Sequence, residues 1–143
     1  MPIKKPKKFA IHELVDKATF ERLGERAWQS FRPELVAILD QLSEGFPGKS
    51  ITVNNWKSGG SFEWRGLRTR DCTQGAVNGA HFVGAGVDFN VAGLRSDEVF
   101  TFIKANPAKF PSIRRLEDPK IAKSWTHADC FEHDGSGILV VGA

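Results

Sequence analysis

Cysteine is scarce in this sequence: Cys72 and Cys130 are the only two in 143 residues, far apart and in no C-x-x-C arrangement. A disulfide between them stays open, although a product kept in a reducing cytoplasm would normally hold both as thiols. Long hydrophobic runs are missing as well. No window holds enough consecutive apolar residues to cross a bilayer, so no membrane insertion is expected. The N-terminal run Met1-Pro2-Ile3-Lys4-Lys5-Pro6-Lys7-Lys8 is basic, but neither a long apolar stretch nor a small-residue cleavage site follows it. A secretory signal is therefore not expected, and synthesis and residence in a cytoplasm are, unless a route such as phage lysis delivers the protein. The excess of positive charge is small, +3 with a pI near 9.0. That balance suits a solvated surface or attraction to an anionic polymer, and ranks nucleic acid lower.

What is present reads as one soluble domain. Hydrophobic residues at 41% and charged residues at 26% are ordinary globular values, and the length suffices for a real core. Residues 1–8 read as a flexible basic arm, and 9–143 as a single domain. Ile11 to Val15 predicts a short turn or helix, and Thr19 is placed to cap a helix starting at Phe20, with Leu23, Ala27, Trp28 and Phe31 near one face. Pro33 opens a second helix whose stripe is Leu35, Ile38, Leu39 and Leu42, ending at Gly45. Ile51 and Val53 alternate with polar residues as in a strand. Ser96 is expected to cap a further helix with Asp97 and Glu98 in its first turn, closed by Pro107. Strands are predicted from Ile113 to Glu117, Trp125 to Cys130 and Ile138 to Val141, with a turn at Asp118-Pro119. The fold class is α+β, N-terminal helices packed on a small antiparallel sheet.

One stretch carries the chemistry: Gly75 to Phe89, in which His81 is followed by Asp88 among small and apolar residues. Imidazole and carboxylate are both good zinc ligands, and a catalytic site takes three protein ligands and leaves one position to water. His127, in the apolar run Trp125 to Asp129, is the candidate for the third. A hydrogen-bonded structural pair is the bland alternative, since four histidines are ordinary for this length. Context favours the metal: glycines at 75, 79, 84 and 86 imply unusual backbone or close approach, and Asp88 inside Val87-Asp88-Phe89 is an acid that must be paired or metal-bound. On a strand Cys130 alternates away from His127, so it is left out of the site. His12 has no partner nearby and reads as structural.

The run G-A-x-x-x-x-H-x-x-G-x-G-x-D-F, followed by W-x-H-x-D, resembles the D-alanyl-D-alanine metallopeptidases, whose motif reads S-x-H-x-x-G-x-A-x-D with a later W/V-x-H-x-D. Upstream, Val53-Asn54-Asn55-Trp56, Gly59-Gly60 and Gly66-Leu67-Arg68 are similar to the VNxW…GG…GxR segment of its small members. The resemblance implies a fold in which His81, Asp88 and His127 bind Zn²⁺. It also implies an enzyme hydrolysing bonds next to D-amino acids in peptidoglycan stem peptides, either a D-Ala-D-Ala carboxypeptidase or a phage L-Ala-D-Glu endopeptidase. Such a protein would be a monomer without nucleic acid and would reach the cell wall after lysis, by export or within a virion. The arginine of the G-x-R motif, Arg68 here, is implied to bind substrate oxygen; Arg65 is the reserve. Many members place a general base just before the final histidine, at the position that is Ser124 here. Glu117, across the expected hairpin from His127, is ranked first as its replacement, ahead of Asp129, which is either the base or an orienting carboxylate; Asp118 reads as a turn residue. Glu117 has a plainer alternative, an ion pair with Arg114 or Arg115. The family serine is Gly79 here and the family alanine is Gly86. These departures and Ser124 support an alternative reading, a catalytically weak metal-binding domain serving the wall or a virion. A third reading, single-stranded nucleic-acid binding by the arginine–aromatic loop of residues 56–70, is ranked last because the segment is short and the net charge low.

Overall fold

A computed structural model describes residues 3–73 and 79–142; Met1, Pro2 and Ala143 lie outside them, as does Gly75 with the rest of 74–78. The first helix, α1 (Lys17–Leu23), begins where the buried Asp16 carboxylate accepts both the Thr19 amide (3.1 Å) and the Thr19 hydroxyl (2.6 Å). The cap is thus Asp16 rather than Thr19. A carboxyl group with two acceptor oxygens takes the orphan amide and the hydroxyl together, so the helix starts earlier than the threonine alone implies. A 3-10 stretch, Gly24–Ser30, then carries Ala27 and Trp28 into the core. Helix α2 (Pro33–Gly45) has its proline in the first turn, and Leu35, Ile38, Leu39 and Leu42 form a fully buried stripe. Gly45 serves a close approach: an added Cβ would collide with the Phe110 ring. Helix α3 (Ser96–Ala105) follows Arg95, whose amide donates to Glu98 (2.9 Å). The Ser96 hydroxyl donates instead to the Lys123 carbonyl (2.6 Å), so Ser96 is the first helical residue and not the cap.

Among the described residues five strands, β1 (Ile51–Thr52), β2 (Gly86–Val91), β3 (Arg115–Glu117), β4 (Thr126–Asp129) and β5 (Leu139–Val141), form one sheet in the order β1-β2-β4-β3-β5. The first three pairings are antiparallel, but β5 runs parallel to β3, so the sheet is mixed rather than antiparallel. The cause is the path after β4. The chain turns back around His133, whose Nδ1 accepts the Gly135 amide (3.1 Å), and the Leu139 amide docks on the Arg114 carbonyl (2.9 Å). It thereby passes over β3 to its far edge, arriving antiparallel to β4 and hence parallel to β3.

Alternation along the strands divides the sheet. Val87, Phe89, Val91, Leu116 and Ala128 belong to the buried core with the helix stripe, Ile103 and Phe110. Asp88, His127, Asp129 and Arg115 share the opposite face, because Asp88 pairs with His127 and Arg115 with Asp129. Short β1 covers only the Asn90–Val91 end of β2. Further along that edge, the Asp88 amide donates to the Arg65 carbonyl (2.8 Å), which brings the arginine–aromatic loop onto the polar face. Within the basic arm, Pro6 is buried, the Lys7 amide donates to Asp40 (2.9 Å), and Ile3 packs against the core. No helix among the described residues is long and apolar enough to cross a membrane. Replacing the cap, Asp16→Ala, is expected to lower unfolding stability by about 1–2 kcal/mol, read from urea denaturation; an unchanged midpoint would show that Asp16 does not hold α1.

Candidate metal centre

The β2–β4 register sets Asp88 directly opposite His127, and directly paired residues project to the same side. His81 arrives from a turn before β2. Gly84 there has φ 68°, a left-handed conformation, and lies too close to the Ser30 carbonyl for any Cβ. Two hydrogen bonds fix the turn, Ala85 amide to Ala80 carbonyl (2.9 Å) and Arg68 amide to His81 carbonyl (3.1 Å). The two imidazoles end 5.0 Å apart between centroids, each over the same carboxylate. Gly86, at the start of β2, leaves the space: an added Cβ would stand 3.1 Å from His127 Cε1 and 2.7 Å from the Ala80 Cβ.

The hydrogen bonds decide which ring atoms are available. His81 Nδ1 lies 2.9 Å from the Gly66 carbonyl oxygen; a carbonyl only accepts, so Nδ1 carries the hydrogen and Nε2 is the lone pair. His127 Nε2 lies 2.8 Å from Asp129 Oδ2. Arg115 holds that carboxylate with two parallel bonds of 2.8 Å, which keeps it ionised and places the hydrogen on Nε2. The atoms left over, His81 Nε2 and His127 Nδ1, both point at Asp88 Oδ1, at 3.2 and 2.9 Å. With neutral rings three electron-rich atoms would face one another in a buried place, an arrangement that requires a cation. A proton on a ring satisfies it, and so does a metal ion.

The donor set fits a metal. The ligand atoms of His81, Asp88 and His127 all lie within 4.8 Å of one another and all three residues are buried. Donors about 2.0–2.1 Å from a tetrahedral ion stand about 3.3 Å apart, close to the spacing of Asp88 Oδ1 from the two nitrogens. Each imidazole already has its far nitrogen tied to an oxygen, which fixes tautomer and ring orientation as metal-binding histidines require. The charges follow the same logic. Burial would push the His127 imidazole down, but the hydrogen bonds and charges of Asp129 and Asp88 outweigh it and raise its pKa to about 9. Burial pushes Asp88 up, and its bonds to His127 and His81 reverse that, holding it well below the usual carboxylate range.

The remaining residues singled out in the sequence fall around this group. Asp129 is fully buried with both oxygens engaged, Oδ1 by Arg115 and the Phe131 amide (3.1 Å) and Oδ2 by Arg115 and His127. It stands behind the His127 ring, so the role its geometry allows is orienting the imidazole rather than exchanging protons with a substrate. Arg68 sends Nε to the Trp64 carbonyl (2.8 Å) and Nη2 to Asp88 Oδ2 (3.4 Å), which makes it a partner of the acid's second oxygen. Glu117 is half-buried at the end of β3, on the face that Arg115 shares with Asp129, and its side chain lies near Gly142 and Ile121. Among the described residues no hydrogen bond or ion pair joins it to the three ligands or to Arg114 or Arg115. Ser124 is exposed ahead of β4, its carbonyl accepting from Asn90 (2.8 Å). Cys130 is buried and donates to the Ala85 carbonyl (3.4 Å), away from the site.

Comparison of the chain with protein-family models, curated proteins and solved structures returns no match. The site therefore stands on its own geometry. Sequence reading missed two parts of it, the Arg115 fork behind Asp129 and the Gly66 carbonyl that sets the His81 tautomer. The first depends on the β3–β4 register, which hydrophobic alternation leaves open. The second is a backbone atom with no side-chain signal.

Removing the clamp, Asp129→Asn, is expected to weaken zinc binding about 10–100-fold, measured by competition with a chromophoric chelator; unchanged affinity would show that the carboxylate does not orient the ring. Protons compete for the same lone pairs. The raised His127 pKa means that, in chelator-treated protein, its stabilising contribution is complete below about pH 6.5 and is lost as pH rises through about 9. Metal uptake near pH 7 should accordingly release about one proton from His127, read by calorimetry in buffers of different ionisation enthalpy.

Proposed function

We propose that this chain is a zinc-dependent peptidase of the D-alanyl-D-alanine metallopeptidase type, hydrolysing bonds next to D-amino acids in peptidoglycan stem peptides. The observation that carries the reading is the buried meeting of His81 Nε2, Asp88 Oδ1 and His127 Nδ1, each donor pre-set by a hydrogen bond elsewhere on its own side chain. Three nitrogen and oxygen ligands without a thiolate match a catalytic rather than a structural zinc set. Bound zinc would supply a Lewis acid for a substrate carbonyl and would lower the pKa of its water toward neutrality.

The chain's own residues divide the rest of the work. Asp129 keeps the proton on His127 Nε2, so that Nδ1 faces inward. Arg68 holds Asp88 Oδ2, leaving Oδ1 for the ion, and its position beside that acid suits contact with a substrate oxygen. Glu117 is the carboxylate that remains uncommitted on this face of the sheet, one strand beyond His127, and its role in the proposal is to accept a proton and return it to the leaving amine. The exposed Ser124 in place of an acid favours the second reading, a metal-binding wall or virion domain of low activity. Acting from outside the cell, after lysis or within a particle, suits either reading.

Zinc-loaded protein is expected to release D-alanine or new amino termini from purified sacculi, with activity lost on chelation and restored by zinc. Glu117→Gln should keep zinc affinity within about twofold and lower kcat by at least about 100-fold. Full zinc occupancy with no product at any pH would leave the structural-domain reading; absence of zinc binding would defeat both.

A further inference from the structure

Two residues past Asp129, where β4 ends, Phe131 acts on that carboxylate twice. Its amide donates to Asp129 Oδ1 (3.1 Å). Its half-buried ring lies 4.9 Å from the guanidinium carbon of Arg115, and that guanidinium makes both parallel bonds to the same acid. A second guanidinium, that of Arg32, stands over the ring at 5.3 Å. Arg32 is exposed and, among the described residues, forms no ion pair. Its amide donates to the carbonyl of Gly84 (3.0 Å), the left-handed glycine of the turn that carries His81. These contacts join the mounts of the two imidazoles. One end of the path is the His81 turn, reached through Arg32; the other is His127 Nε2, reached through Arg115 and Asp129. A guanidinium holds a carboxylate by two bonds only while the two planes stay aligned. The Arg115 side chain is 26% exposed, and a long side chain reached by water gives up rotamer freedom to stay in one geometry. The negative face of an aromatic ring attracts such a cation and opposes its swinging out.

We propose that Phe131 is a positioning residue of the metal centre: its ring holds the Arg115 fork on Asp129 and so keeps His127 Nδ1 turned toward Asp88 and His81. Arg32 seats the ring beside the His81 turn, so that the two imidazoles keep their spacing. The inference rests on the reading of His81, Asp88 and His127 as metal ligands, and is independent of which substrate the site serves.

The experiment measures zinc affinity by competition with a chromophoric chelator, together with the visible spectrum of the cobalt(II)-substituted protein, which follows ligand geometry. Phe131→Leu keeps apolar bulk and removes the aromatic face; it is expected to weaken zinc binding about fivefold and to change the cobalt bands. Phe131→Tyr keeps the face and should stay within about twofold of wild type. Arg32→Gln should weaken zinc binding at least about twofold. In an Asp129→Asn background neither Phe131→Leu nor Arg32→Gln should cost further affinity, because the path to His127 is already cut. A side chain that served packing alone would add its loss to that of Asp129→Asn. Melting temperatures of the metal-free variants report folding, and should Phe131→Leu not fold, Arg32→Gln in the two backgrounds decides. Wild-type affinity in Phe131→Leu (or, in its place, in Arg32→Gln), an equal loss in the Asp129→Asn background, or a folded Phe131→Tyr as weak as Phe131→Leu overturns the inference and leaves the metal centre standing. A wild-type protein that takes up no zinc removes the metal reading and the inference with it.

Discussion

One carboxylate oxygen, Asp88 Oδ1, faced by a nitrogen from each of two buried imidazoles, is the constraint around which the polar face of this sheet is arranged. In a low-dielectric setting three lone pairs at that spacing repel unless a positive charge joins them. Everything adjacent acts to keep them there. The Gly66 carbonyl and the Asp129 carboxylate hold the outer nitrogens, Arg115 keeps Asp129 ionised, and Arg68 takes the other oxygen of Asp88. Such a group is stable in two states, protonated or metallated, and the choice between them is a matter of pH and metal supply.

The two sides of the sheet divide the labour. The apolar side meets α2 and the Phe110 region, and its alternating residues need only bulk and shape. On the polar side the loop from Arg65 to Arg68 meets the group, through the Asp88 amide on the Arg65 carbonyl, the His81 ring on the Gly66 carbonyl and Arg68 on Asp88. That loop stands beside the group while strands hold Asp88 and His127 and a hydrogen-bonded turn holds His81, so backbone-fixed elements carry the three side chains that could hold a metal ion.

Much of this was legible in the residues. The stripe of α2 follows directly from helical spacing, and the three ligands from their residue types, the glycines around them and an acid in an apolar strand. Boundaries were less so. Thr19 and Ser96 have the right chemistry for caps, yet Asp16 and Arg95 hold those positions: the Thr19 hydroxyl donates to Asp16 within the cap, and the Ser96 hydroxyl donates across the fold to the Lys123 carbonyl. The parallel pairing of β5 escaped because strand direction depends on how a loop travels, which alternation does not encode. The same gap hid the Arg115 fork: Glu117 was expected across from His127 and Arg115 only as an ion-pair partner of Glu117, but the observed register pairs Arg115 with Asp129.

That register has an implication for how the molecule loosens. Arg115 sits on a strand whose outer neighbour is the C-terminal β5, tied on by the Leu139–Arg114 and Asp118–Val141 bonds. Peeling the tail away would free β3 at its edge, slacken the fork on Asp129 and let the His127 ring rotate. Strand β5 and the three-residue group are thus mechanically one system: strain on β5 reaches, through β3 and Arg115, the ring that helps form the group able to hold a metal ion.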